Sequence, residues 1–506
     1  MEKLDNYVEE FYSMDDLEKN LTSALNKAYN SSGSMVQVIK AQTAAGKTTA
    51  YLNLMESNPS KRFLIAASSN ILKNQIYADA NKRLIAVRKT PSLEEIKGEI
   101  PKRTWSRISY LYETGKYRSV HPYIEETLKR RDIPRLREYL KRREQLRYYT
   151  GSLITTHRYL LNMDEKRLSE FDAIIVDEDI ILKSVVPNNG EITLSDCKKL
   201  LESANDSRLV SKIEQLIKLA ETKSEAESSI ELDSFDLEAG DDDDEDSIDD
   251  GESDGISMAF DIPSFSMAKH FFFVRASLKN NLKDDTFIFM KPVTFKGCKY
   301  IIVSATADEK IYRYYFGWEN VSFHECKQVK YKGTLNQYYD KSYSRSCIDE
   351  DPGIIDHLMK RFDIARVITH KKYDIGPLHF GNTEGSNQYE GRDILVIGTP
   401  YHAGFLYKLF ALTMGLDFDE NSIMKSRLVT HNGYWFTFTT FDDEVLRDIH
   451  FWMIESELEQ AVGRARLLRH DCTVHLFSNF PLRQANLMKF KYCNDKTIEL
   501  FETKSA

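Results

Sequence analysis

The stretch "VQVIKAQTAAGKTTAYL", residues 36–52, carries the pattern that decides the fold. A β-branched run leads through small residues to Gly46-Lys47-Thr48, and a helical pattern follows. This matches a phosphate-binding loop (P-loop), G-x-x-x-x-G-K-[ST], with Ala41 in place of the first glycine. In such a loop, backbone N–H groups and a helix N-terminus point at a phosphate chain. The plainer interpretation is a tight turn between a strand and a helix, with a chance lysine.

The residue types of the loop suit the binding of a phosphate chain. Lys47 would reach the β and γ phosphates, and the hydroxyl of Thr48 would hold Mg²⁺. The small side chains of Ala44 and Ala45 let the backbone approach a ligand, although alanine resists a positive φ more than glycine does.

Length and composition set the class of protein. With 506 residues and 42% hydrophobic content, the chain should hold two to four soluble globular domains. It has no apolar run of about 18 residues, and "MEKLDNYVEE" at the start resembles no secretory signal, so we expect no membrane span and no secretion. Its six cysteines never form C-x-x-C, so we expect reduced thiols, no zinc or iron–sulfur site, and a cytoplasmic protein.

The formal net charge of −9 comes from one segment. Residues 224–254 contain 16 Asp or Glu and no Lys or Arg, and the rest of the chain carries +7. Low hydrophobicity with one sign of charge predicts a disordered acidic loop, bounded at 222–256. The loop is interpreted either as a spacer or as an autoinhibitor that mimics a phosphate backbone and competes for a basic channel. The net positive charge of the chain outside this segment suits a polyanionic partner.

Short apolar runs that end in polar or small residues recur along the chain. They lie at 62–68, 151–157, 172–178, 299–306, 365–371, 393–400 and 472–479. Apolar strands that alternate with helical stretches predict parallel sheets in α/β layers. Ligands of such sheets gather at the carboxyl ends of the strands, which is where the polar residues fall here.

Two of these strand ends carry candidate chemistry. In "IIVDEDI", residues 174–180, Asp177 could hold Mg²⁺ and Glu178 could orient an attacking water. The alternative is a strand that ends in solvated acids. The second end, Ser304-Ala305-Thr306, has no meaning as an isolated tripeptide.

The segment "ELEQAVGRARLLR", residues 457–469, is the last chemical signal. Gln460 and Arg464 lie on a predicted helix, with Arg466 and Arg469 close behind. An arginine offered from a second domain can neutralise charge on a transferring γ-phosphoryl group, an effect worth about 10³–10⁵ in rate. The alternative is a basic helix end that complements the helix dipole.

The order of the motifs, GKT, DE, SAT and Q-x-x-G-R, resembles that of superfamily 2 helicases of the DEAD/DEAH-like type, in particular those of phages and other mobile elements. Further segments are similar to motifs of that family, at 66–75, 155–161, 368–372 and 379–400. The resemblance implies an α/β fold with two RecA-like domains that close on ATP. Domain 1 would span 1–310, with a basic helical insert at 85–150 and the acidic loop, and domain 2 would span 311–506.

The resemblance also implies roles for individual residues. The catalytic residues would be Lys47, Asp177, Glu178, Gln460 and Arg464. The nucleotide would contact Ala41, Thr43, Ala44, Ala45, Gly46, Lys47, Thr48, Thr49, Gly385, Asn387 and Arg466. The Mg²⁺ ligands would be Thr48 and Asp177. The nucleic-acid path and its coupling to the site would involve Ser304, Thr306, Thr155, Thr156, His157 and Thr369.

The sequence departs from the family pattern at several positions. The usual proline of the P-loop is Gln42, and the fourth residue of the acidic box is Ile180. The second arginine of the last motif falls on Leu467, so Arg466 or Arg469 would have to replace it. No glutamine of the kind that reads adenine precedes the loop, which leaves the nucleotide selectivity open.

Residues 101–150 carry 14 Lys or Arg against 6 Asp or Glu, and aromatic residues lie between them. We expect a helix whose basic face, with Arg131, Arg135 and Arg142, lies opposite an apolar face. Basic charge with aromatic side chains suits phosphate contacts and base stacking. The alternative is a solvated amphipathic insert that packs on domain 1.

Residues 427–441 predict a β-hairpin, because Asn432-Gly433 suits a type I′ turn, which needs a positive φ at both central positions. Several superfamily 2 helicases have a strand-separating hairpin in this interval. By that resemblance, Tyr434 or Trp435 would stack on the last base pair of a duplex. The alternative is an edge hairpin whose aromatic side chains face the core.

The sequence therefore favours an ATP- and Mg²⁺-dependent helicase or translocase on single-stranded or forked DNA. It would serve replication, recombination or defence of a mobile element, with replication or recombination proteins as further partners and no membrane. The alternatives are an RNA helicase and a regulatory nucleic-acid-binding ATPase switch that does not unwind processively.

Overall fold

The structure is a computed structural model of the chain. It describes residues 1–5, 7–33, 35–186, 189–222, 227–237, 260–277, 282–293, 295–383, 385–490 and 500–502.

The described residues form twenty strands. They are β1 (Glu2–Lys3), β2 (Val36–Lys40), β3 (Phe63–Ala67), β4 (Val87–Lys89), β5 (Ser152–Thr156), β6 (Ala173–Asp177), β7 (Asn189–Thr193), β8 (Glu227–Glu231), β9 (His270–Val274), β10 (Thr286–Met290), β11 (Tyr300–Ser304), β12 (Val321–Glu325), β13 (Thr334–Tyr338), β14 (Val367–Ile368), β15 (Ile394–Ile397), β16 (Lys425–His431), β17 (Tyr434–Thr440), β18 (Thr473–Phe477), β19 (Asn486–Phe490) and β20 (Leu500–Glu502).

They also form sixteen α-helices. They are α1 (Met14–Asn30), α2 (Lys47–Glu56), α3 (Asn70–Lys82), α4 (Lys102–Glu113), α5 (Val120–Arg130), α6 (Pro134–Arg147), α7 (His157–Leu161), α8 (Glu165–Leu168), α9 (Leu194–Ser203), α10 (Ser207–Thr222), α11 (Ile262–Met267), α12 (Glu309–Phe316), α13 (Arg345–Glu350), α14 (Ile354–Phe362), α15 (Gly404–Thr413) and α16 (Glu444–Val462).

The first large sheet contains seven parallel strands in the order β12-β2-β11-β6-β3-β5-β4. Its strands are apolar on both faces because helices cover both. Ile39 and Ile175 point to the face that α1, α2 and α3 cover, whereas Val38 and Val176 point to the face shared with α12 and α16. The carboxyl ends of β2, β6 and β11 are adjacent and carry the sequence motifs.

The second large sheet has the order β14-β15-β18-β13-β19-β20, parallel except for β20. Helices α13 and α14 pack on one face and α16 on the other. The predicted fold class, two RecA-like α/β domains with parallel sheets, is confirmed. Strand β12 (Val321–Glu325) still belongs to the first sheet, so that sheet continues past the predicted boundary at 310. We propose that the domain boundary lies between residues 325 and 334.

A separate antiparallel sheet, in the order β7-β10-β9-β8, is inserted between β6 and β11 and was not predicted. Phe271 and Phe289 belong to an aromatic core that this sheet shares with α9 and α10. On the other face, Phe272 stacks on Phe405 of α15, with ring centroids 5.4 Å apart. The insert therefore connects the first domain to a helix of the second.

The acidic segment is not a loop along its whole predicted length. Strand β8 pairs with β9, and both Ile230 and Leu232 are buried. The prediction of disorder is therefore wrong for 227–237, because a few alternating apolar residues are enough to complete a sheet edge even where acids dominate the composition. Residues 238–259, which hold most of the acidic run, lie outside the described residues, so both interpretations of the loop stay predictions.

The hairpin β16–β17 forms as predicted, with Asn432 at φ 47° and Gly433 at φ 81°. The N-terminal strand β1 adds to this hairpin, and Leu4 N–H donates to the carbonyl oxygen of Gly433 at 2.8 Å. The ring of Tyr7 covers the turn so closely that a Cβ on Gly433 would overlap it. The N-terminal segment thus reaches from α1 on the first domain to the hairpin of the second.

The insert that follows β4 is helical, as predicted, and contains α4, α5 and α6. It has a small core of its own, in which Ile108, Leu111, Ile124 and Leu136 are buried. Helix α6 begins at Pro134, so Arg131 precedes it instead of lying on its basic face. Among the described residues, no helix has both the length and the apolar character that crossing a membrane requires.

We expect Gly433→Ala to lower the free energy of unfolding by more than about 1 kcal/mol. Alanine at a positive φ costs about 1–2 kcal/mol, and the added methyl group also collides with Tyr7. The measurement is denaturant-induced unfolding. Gly353→Ala is the matched control, because a Cβ at Gly353 meets nothing within 4 Å. Equal destabilisation by the two variants would contradict the described packing of the turn.

Candidate active site between the two sheets

The P-loop, residues 41–48, joins β2 to α2. Ala41 N–H donates to the carbonyl oxygen of Ser304 at 2.9 Å, which anchors the loop to the end of β11. Gly46 adopts φ 88° and Lys47 begins α2, so the helix N-terminus faces the loop interior. This backbone has the geometry that directs N–H groups at an anion.

Ala44 adopts φ 66°, although the sequence indicates that alanine resists this conformation. The strain is retained because both flanks of the loop are fixed. Ala45 N–H donates to the carbonyl oxygen of Gln42 at 3.1 Å, and the Gln42 side chain exchanges two hydrogen bonds with the backbone of Val329, at 2.7 and 3.0 Å. Residues that hold such conformations cluster at ligand-binding sites.

Lys47 folds back over the loop and donates to the carbonyl oxygens of Ala41 and Gln42, both at 3.2 Å. Burial lowers the pKa of its ammonium group, while the carboxylates of Glu178 and Asp177 favour the charged form. The charge of Arg464 lowers the same pKa. Lys47 therefore lies near the two acids of the first domain and the arginine that follows α16.

Asp177, at the end of β6, is buried and accepts a hydrogen bond from the Tyr51 hydroxyl at 2.9 Å. Burial and the nearby charge of Glu178 raise the pKa of Asp177 to about 7, against the opposing effects of Lys47 and Tyr51. Glu178 adopts φ 76°, and its N–H donates to the carbonyl oxygen of Val303 at 3.0 Å. This turn fixes the acidic pair at the edge where the P-loop also lies.

Two buried side chains support the acidic pair. The Nε2 atom of His157 lies 2.9 Å from the carbonyl oxygen of Asp177, which makes it the donor. Burial lowers the pKa of His157 to about 4, so the ring is neutral. Asp179 accepts from Tyr312 at 3.0 Å and from two N–H groups at the start of the next helical turn, and burial raises its pKa to about 6.

Helix α16 closes the site from the second domain. Its end lies so close to the P-loop that a Cβ on Gly463 would be 2.8 Å from Cγ2 of Thr43. One face of the helix also contacts the SAT motif, where the Ser456 hydroxyl donates to the carbonyl oxygen of Thr306 at 3.4 Å. Within that motif, Thr306 N–H donates to Ser304 Oγ at 3.0 Å.

Gln460 and Arg464 are buried at this junction. Arg464 donates to the carbonyl oxygens of Gln460 and Ser386, at 3.1 and 3.3 Å. Neither the amide oxygen nor the amide nitrogen of the Gln460 side chain has a partner within the described part of the chain. A buried amide without partners is costly, so its presence points to a bound polar group as its natural partner.

The two arginines left open by the sequence occupy different places. Arg469 donates to the carbonyl oxygen of Ala44 at 3.0 Å, across the cleft, and pairs with Glu18 at 3.2 Å. Arg466 instead donates to Asn387 at 2.7 Å, within the second domain. Arg469 is therefore the arginine that reaches the P-loop, and we propose it in place of Arg466 for the nucleotide contact.

Further contacts hold the two domains together beside the cleft. The Gln75 side chain donates to the carbonyl oxygen of Gly385 at 2.8 Å. Lys183, after the acidic box, forms a buried ion pair with Glu457 of α16 at 3.0 Å. Gly381 N–H donates to the same carboxylate at 2.8 Å. The described conformation is thus closed around the site.

Several residues predicted for the nucleic-acid path are buried. The Thr155 hydroxyl lies 2.9 Å from that of Thr90, and Thr369 donates to the carbonyl oxygen of Ile397 at 2.7 Å. With His157 and Ser304, which are also buried, they cannot touch a nucleic acid in this conformation. The two threonine hydroxyl groups instead satisfy neighbouring polar groups of the sheet edge, so a role in coupling the nucleic-acid path to the site stays a prediction for all four residues. Thr156 caps α7.

The other predicted nucleic-acid residues lie on the surface. Arg135 and Arg142 are exposed, and both pair with Glu138. In the hairpin, Trp435 is 44% exposed, whereas Tyr434 is half-buried beside the N-terminal segment. Of the two proposed wedge residues, only Trp435 faces solvent.

Sequence reasoning missed Tyr51, Asp179 and the role of His157 beneath the acidic box. Tyr51 had a signal, since it lies four residues after Lys47 and so shares its helix face. Asp179 had none, because an acidic residue after a strand is normally solvated.

The residues present fit a nucleoside triphosphate with Mg²⁺. A buried lysine and free helix N–H groups suit phosphate oxygens, while the hydroxyl of Thr48 and the carboxylate of Asp177 are the hard oxygen ligands that Mg²⁺ prefers.

Among solved structures, those of helicases are similar to this chain. A structure titled XPD helicase is 14% identical, with 93% of this chain and 96% of that chain covered and a TM-score of 0.49. Xpd4 of S. tokodaii is 12% identical, with coverage of 94% and 99% and a TM-score of 0.46. The DEAD-box helicase Mss116, bound to ssRNA and UDP-BeF, is 12% identical, with coverage of 97% and 82% and a TM-score of 0.33.

No protein-family model matches the chain, and no curated protein matches it. The similar structures are XPD and DEAD- or DEAH-box helicases. At these identities and TM-scores they assign neither an activity nor a substrate to this chain, so its own geometry has to support the function.

We expect Ala44→Gly to raise the free energy of unfolding by about 0.5–1 kcal/mol. Glycine relieves the strain of φ 66°, which outweighs its greater conformational freedom in the unfolded chain. Ala45→Gly is the matched control, because Ala45 is fully buried and has no positive φ. It should lower the free energy by about 0.5–1 kcal/mol. Denaturant-induced unfolding measures the free energy of both variants. Changes of the same sign would show that the backbone at Ala44 is not strained.

A small cavity lies beside the P-loop, lined by Lys40, Thr306 and one face of α16. Glu455 on that face is bound by His431 and Asn432, at 3.0 and 2.7 Å. One turn later, burial and the charge of Glu455 raise the pKa of Glu459 to about 7.

Because the pKa of Glu459 is raised on folding, wild-type stability is lost as pH rises from about 4.5 to 7. We therefore expect Glu459→Gln to raise the free energy of unfolding by about 3 kcal/mol at pH 8 and by much less at pH 5. Unfolding curves at the two pH values measure the difference. Glu319→Gln, which removes an exposed carboxylate, is the control for the change in net charge, and an equal gain in that variant would contradict the assignment.

Proposed function

We propose that this chain hydrolyses ATP and uses the closure of its two RecA-like domains to translocate along, or to unwind, nucleic acid. One observation carries the proposal: residues from both domains converge on one strained P-loop. Arg469 donates to Ala44, and α16 places Gly463 against Thr43. A triphosphate in this cleft would contact both domains at once and hold them together. Its binding and release would therefore close and open the domains in a hinge motion.

The roles in hydrolysis follow from position. Lys47 would exchange its two loop carbonyls for the β and γ phosphate oxygens. Glu178, on its fixed turn, would orient the attacking water, and Arg464 with Arg469 would neutralise charge on the γ-phosphoryl group. The unpartnered amide of Gln460 would bind the water or a phosphate oxygen. Mg²⁺, held by Thr48 and Asp177, would supply charge neutralisation between the phosphates.

Coupling to a strand would pass through the SAT motif. Thr306 contacts both Ser304 at the end of β11 and Ser456 of α16. A movement of the helix would therefore displace the end of a strand in the first sheet. We propose single-stranded or forked DNA as the partner, in replication, recombination or defence of a phage or other mobile element, with RNA as the alternative nucleic acid. The second candidate function is a regulatory ATPase switch. The contacts that hold the two domains closed favour this switch as the alternative, because a switch needs only to close on a strand and not to step along it.

We expect ATP hydrolysis that a single strand stimulates at least severalfold, together with separation of a tailed duplex. The measurement compares single-stranded DNA with RNA as stimulator, and 3′-tailed with 5′-tailed duplexes as substrates. Stimulation without strand separation would support the switch instead of the helicase.

Lys47→Ala tests the site itself, because removing the ammonium group removes the main phosphate ligand. We expect loss of hydrolysis with retained folding. Lys61→Ala, which removes an exposed lysine paired with Asp172, is the matched control and should retain the activity. Full hydrolysis by Lys47→Ala would refute the assignment of the P-loop.

A further inference from the structure

Two sets of arginines in and beside the helical insert have different partners. Those of the outer set each pair with a carboxylate: Arg130 with Glu126, Arg135 with Glu99, Arg137 with Asp132 and Arg142 with Glu138. The positive charge of this set is therefore already balanced, which leaves it little to gain from a phosphate.

The second set consists of Arg143 of α6 and Arg158 of α7, and both face tyrosines. The guanidinium carbon of Arg158 lies 5.8 Å from the ring centroid of Tyr112. Burial raises the pKa of Tyr112, and the charges of Arg143 and Arg158 oppose that shift. Arg143 lies one turn after Tyr139 on α6, and its hydrogen bond to that hydroxyl opposes the rise in the pKa of Tyr139. Among the described residues, neither arginine has a carboxylate oxygen within 4.0 Å.

Tyr117 and Tyr159 extend the same surface. The rings of Tyr112 and Tyr117 lie 5.9 Å apart. Tyr159 lies near Tyr139, whose pKa is affected first by burial and then by Arg143, Tyr112 and Tyr159. Tyr117 is 43% and Tyr159 42% exposed, and both arginines are exposed. We call Tyr112, Tyr117, Arg143, Arg158 and Tyr159 the tyrosine–arginine patch.

The acid Asp261 lies beside the patch. Asp261 raises the pKa of Tyr117, after the larger effect of burial. Asp261 is itself buried and pairs with Lys291 at 3.1 Å. Its charge is thus compensated elsewhere, and the patch keeps a net positive character.

The position of the patch connects it to the proposed site. Arg158 follows His157 directly, and His157 donates to the carbonyl oxygen of Asp177. The patch therefore begins one residue from a side chain that supports the acidic box.

We propose that the tyrosine–arginine patch binds single-stranded nucleic acid, with bases stacked on Tyr117 and Tyr159 and phosphates paired with Arg143 and Arg158. It rests on the proposed function and names the surface where its strand binds. Aromatic rings with unbalanced arginines suit a single strand because its bases offer free faces for stacking, whereas those of a duplex are already stacked. The outer set, which contains Arg135 and Arg142 of the predicted basic face, has its charges balanced by carboxylates.

The test compares two double variants of the full chain, Arg143→Gln/Arg158→Gln in the patch and Arg135→Gln/Arg142→Gln in the outer set. Each removes two positive charges from exposed side chains. Anisotropy of labelled oligo-dT and oligo-U is measured without nucleotide, from 50 to 200 mM salt. We expect the patch pair to weaken binding about tenfold or more, and to make the slope of log K against log salt shallower by about 1.4, since each lost phosphate contact contributes about 0.7. The outer pair should change affinity less than about twofold.

A second pair of variants tests stacking. Tyr159→Ala should weaken binding about fivefold or more, whereas Tyr159→Phe keeps the ring and should bind as the wild type does. Because Tyr159 is partly exposed, both variants should fold, which circular dichroism checks.

Three results would overturn the proposal: equal weakening by the two arginine pairs, unchanged binding by the patch pair, or no binding of either oligonucleotide by the wild type. Hydrolysis by wild type and Lys47→Ala is scored separately. If the wild type hydrolyses ATP but the two arginine pairs weaken binding equally, the proposal for the patch is refuted and the proposed ATPase activity is retained. If only the patch pair weakens binding but the wild type does not hydrolyse ATP, the ATPase activity is refuted and the patch is retained.

Discussion

Helix α16 packs against both large sheets, and the two-domain site depends on that packing. Thirteen of its 19 residues are buried, so apolar side chains surround the helix instead of forming one stripe. Trp452 and Met453 belong to the core on the first sheet, and Ile454 and Leu458 to the core on the second. Because interiors are packed tightly, the helix transmits a shift of either sheet to the other. Its end carries Gln460 and Arg464 to the P-loop.

The site concentrates charges that burial disfavours. Burial raises the pKa of Asp177 to about 7 and lowers that of Lys47, so each group is held against its preferred state. Glu178 adds a like charge next to Asp177, and Arg464 adds one near Lys47. The phosphates of a triphosphate would compensate the positive charges, and its divalent cation would compensate the negative ones. Binding of such a ligand would therefore stabilise the closed form.

The two inserts complicate a simple hinge between the domains. The four-stranded sheet grows out of the first domain, but Phe272 stacks on Phe405 of the second. Asp261 at its edge lies beside Gly115 of the helical insert. The inserts thus touch each other, and one of them touches the opposite domain. Opening of the cleft has to shear the contact between Phe272 and Phe405 or carry the insert with α15.

Local sequence determined the elements whose conformation depends on neighbours along the chain. The P-loop between β2 and α2, the acids after β6, and the turn at Asn432-Gly433 could all be predicted, because strand alternation, helix periodicity and turn chemistry act over a few residues. The aromatic strands β9 and β10 were missed, since a short apolar run gives no sign of which partner it pairs with. The buried side chains of Ile230 and Leu232 were hidden by the acidic average of their surroundings.

Only the tertiary structure decided which residues meet across the cleft. Arg466 and Arg469 are equivalent by spacing, yet Arg469 alone bonds Ala44, a residue 425 positions earlier. The resemblance assigns Thr155 and Thr369 to the nucleic-acid path and its coupling to the site, and only the packing of neighbouring strands shows that both are buried. Arg142 and Arg143 are adjacent, and the fold gives one a glutamate and the other a group of tyrosines. Sequence patterns specify local geometry, whereas burial and charge pairing are set by residues that are distant in the chain and adjacent only after folding.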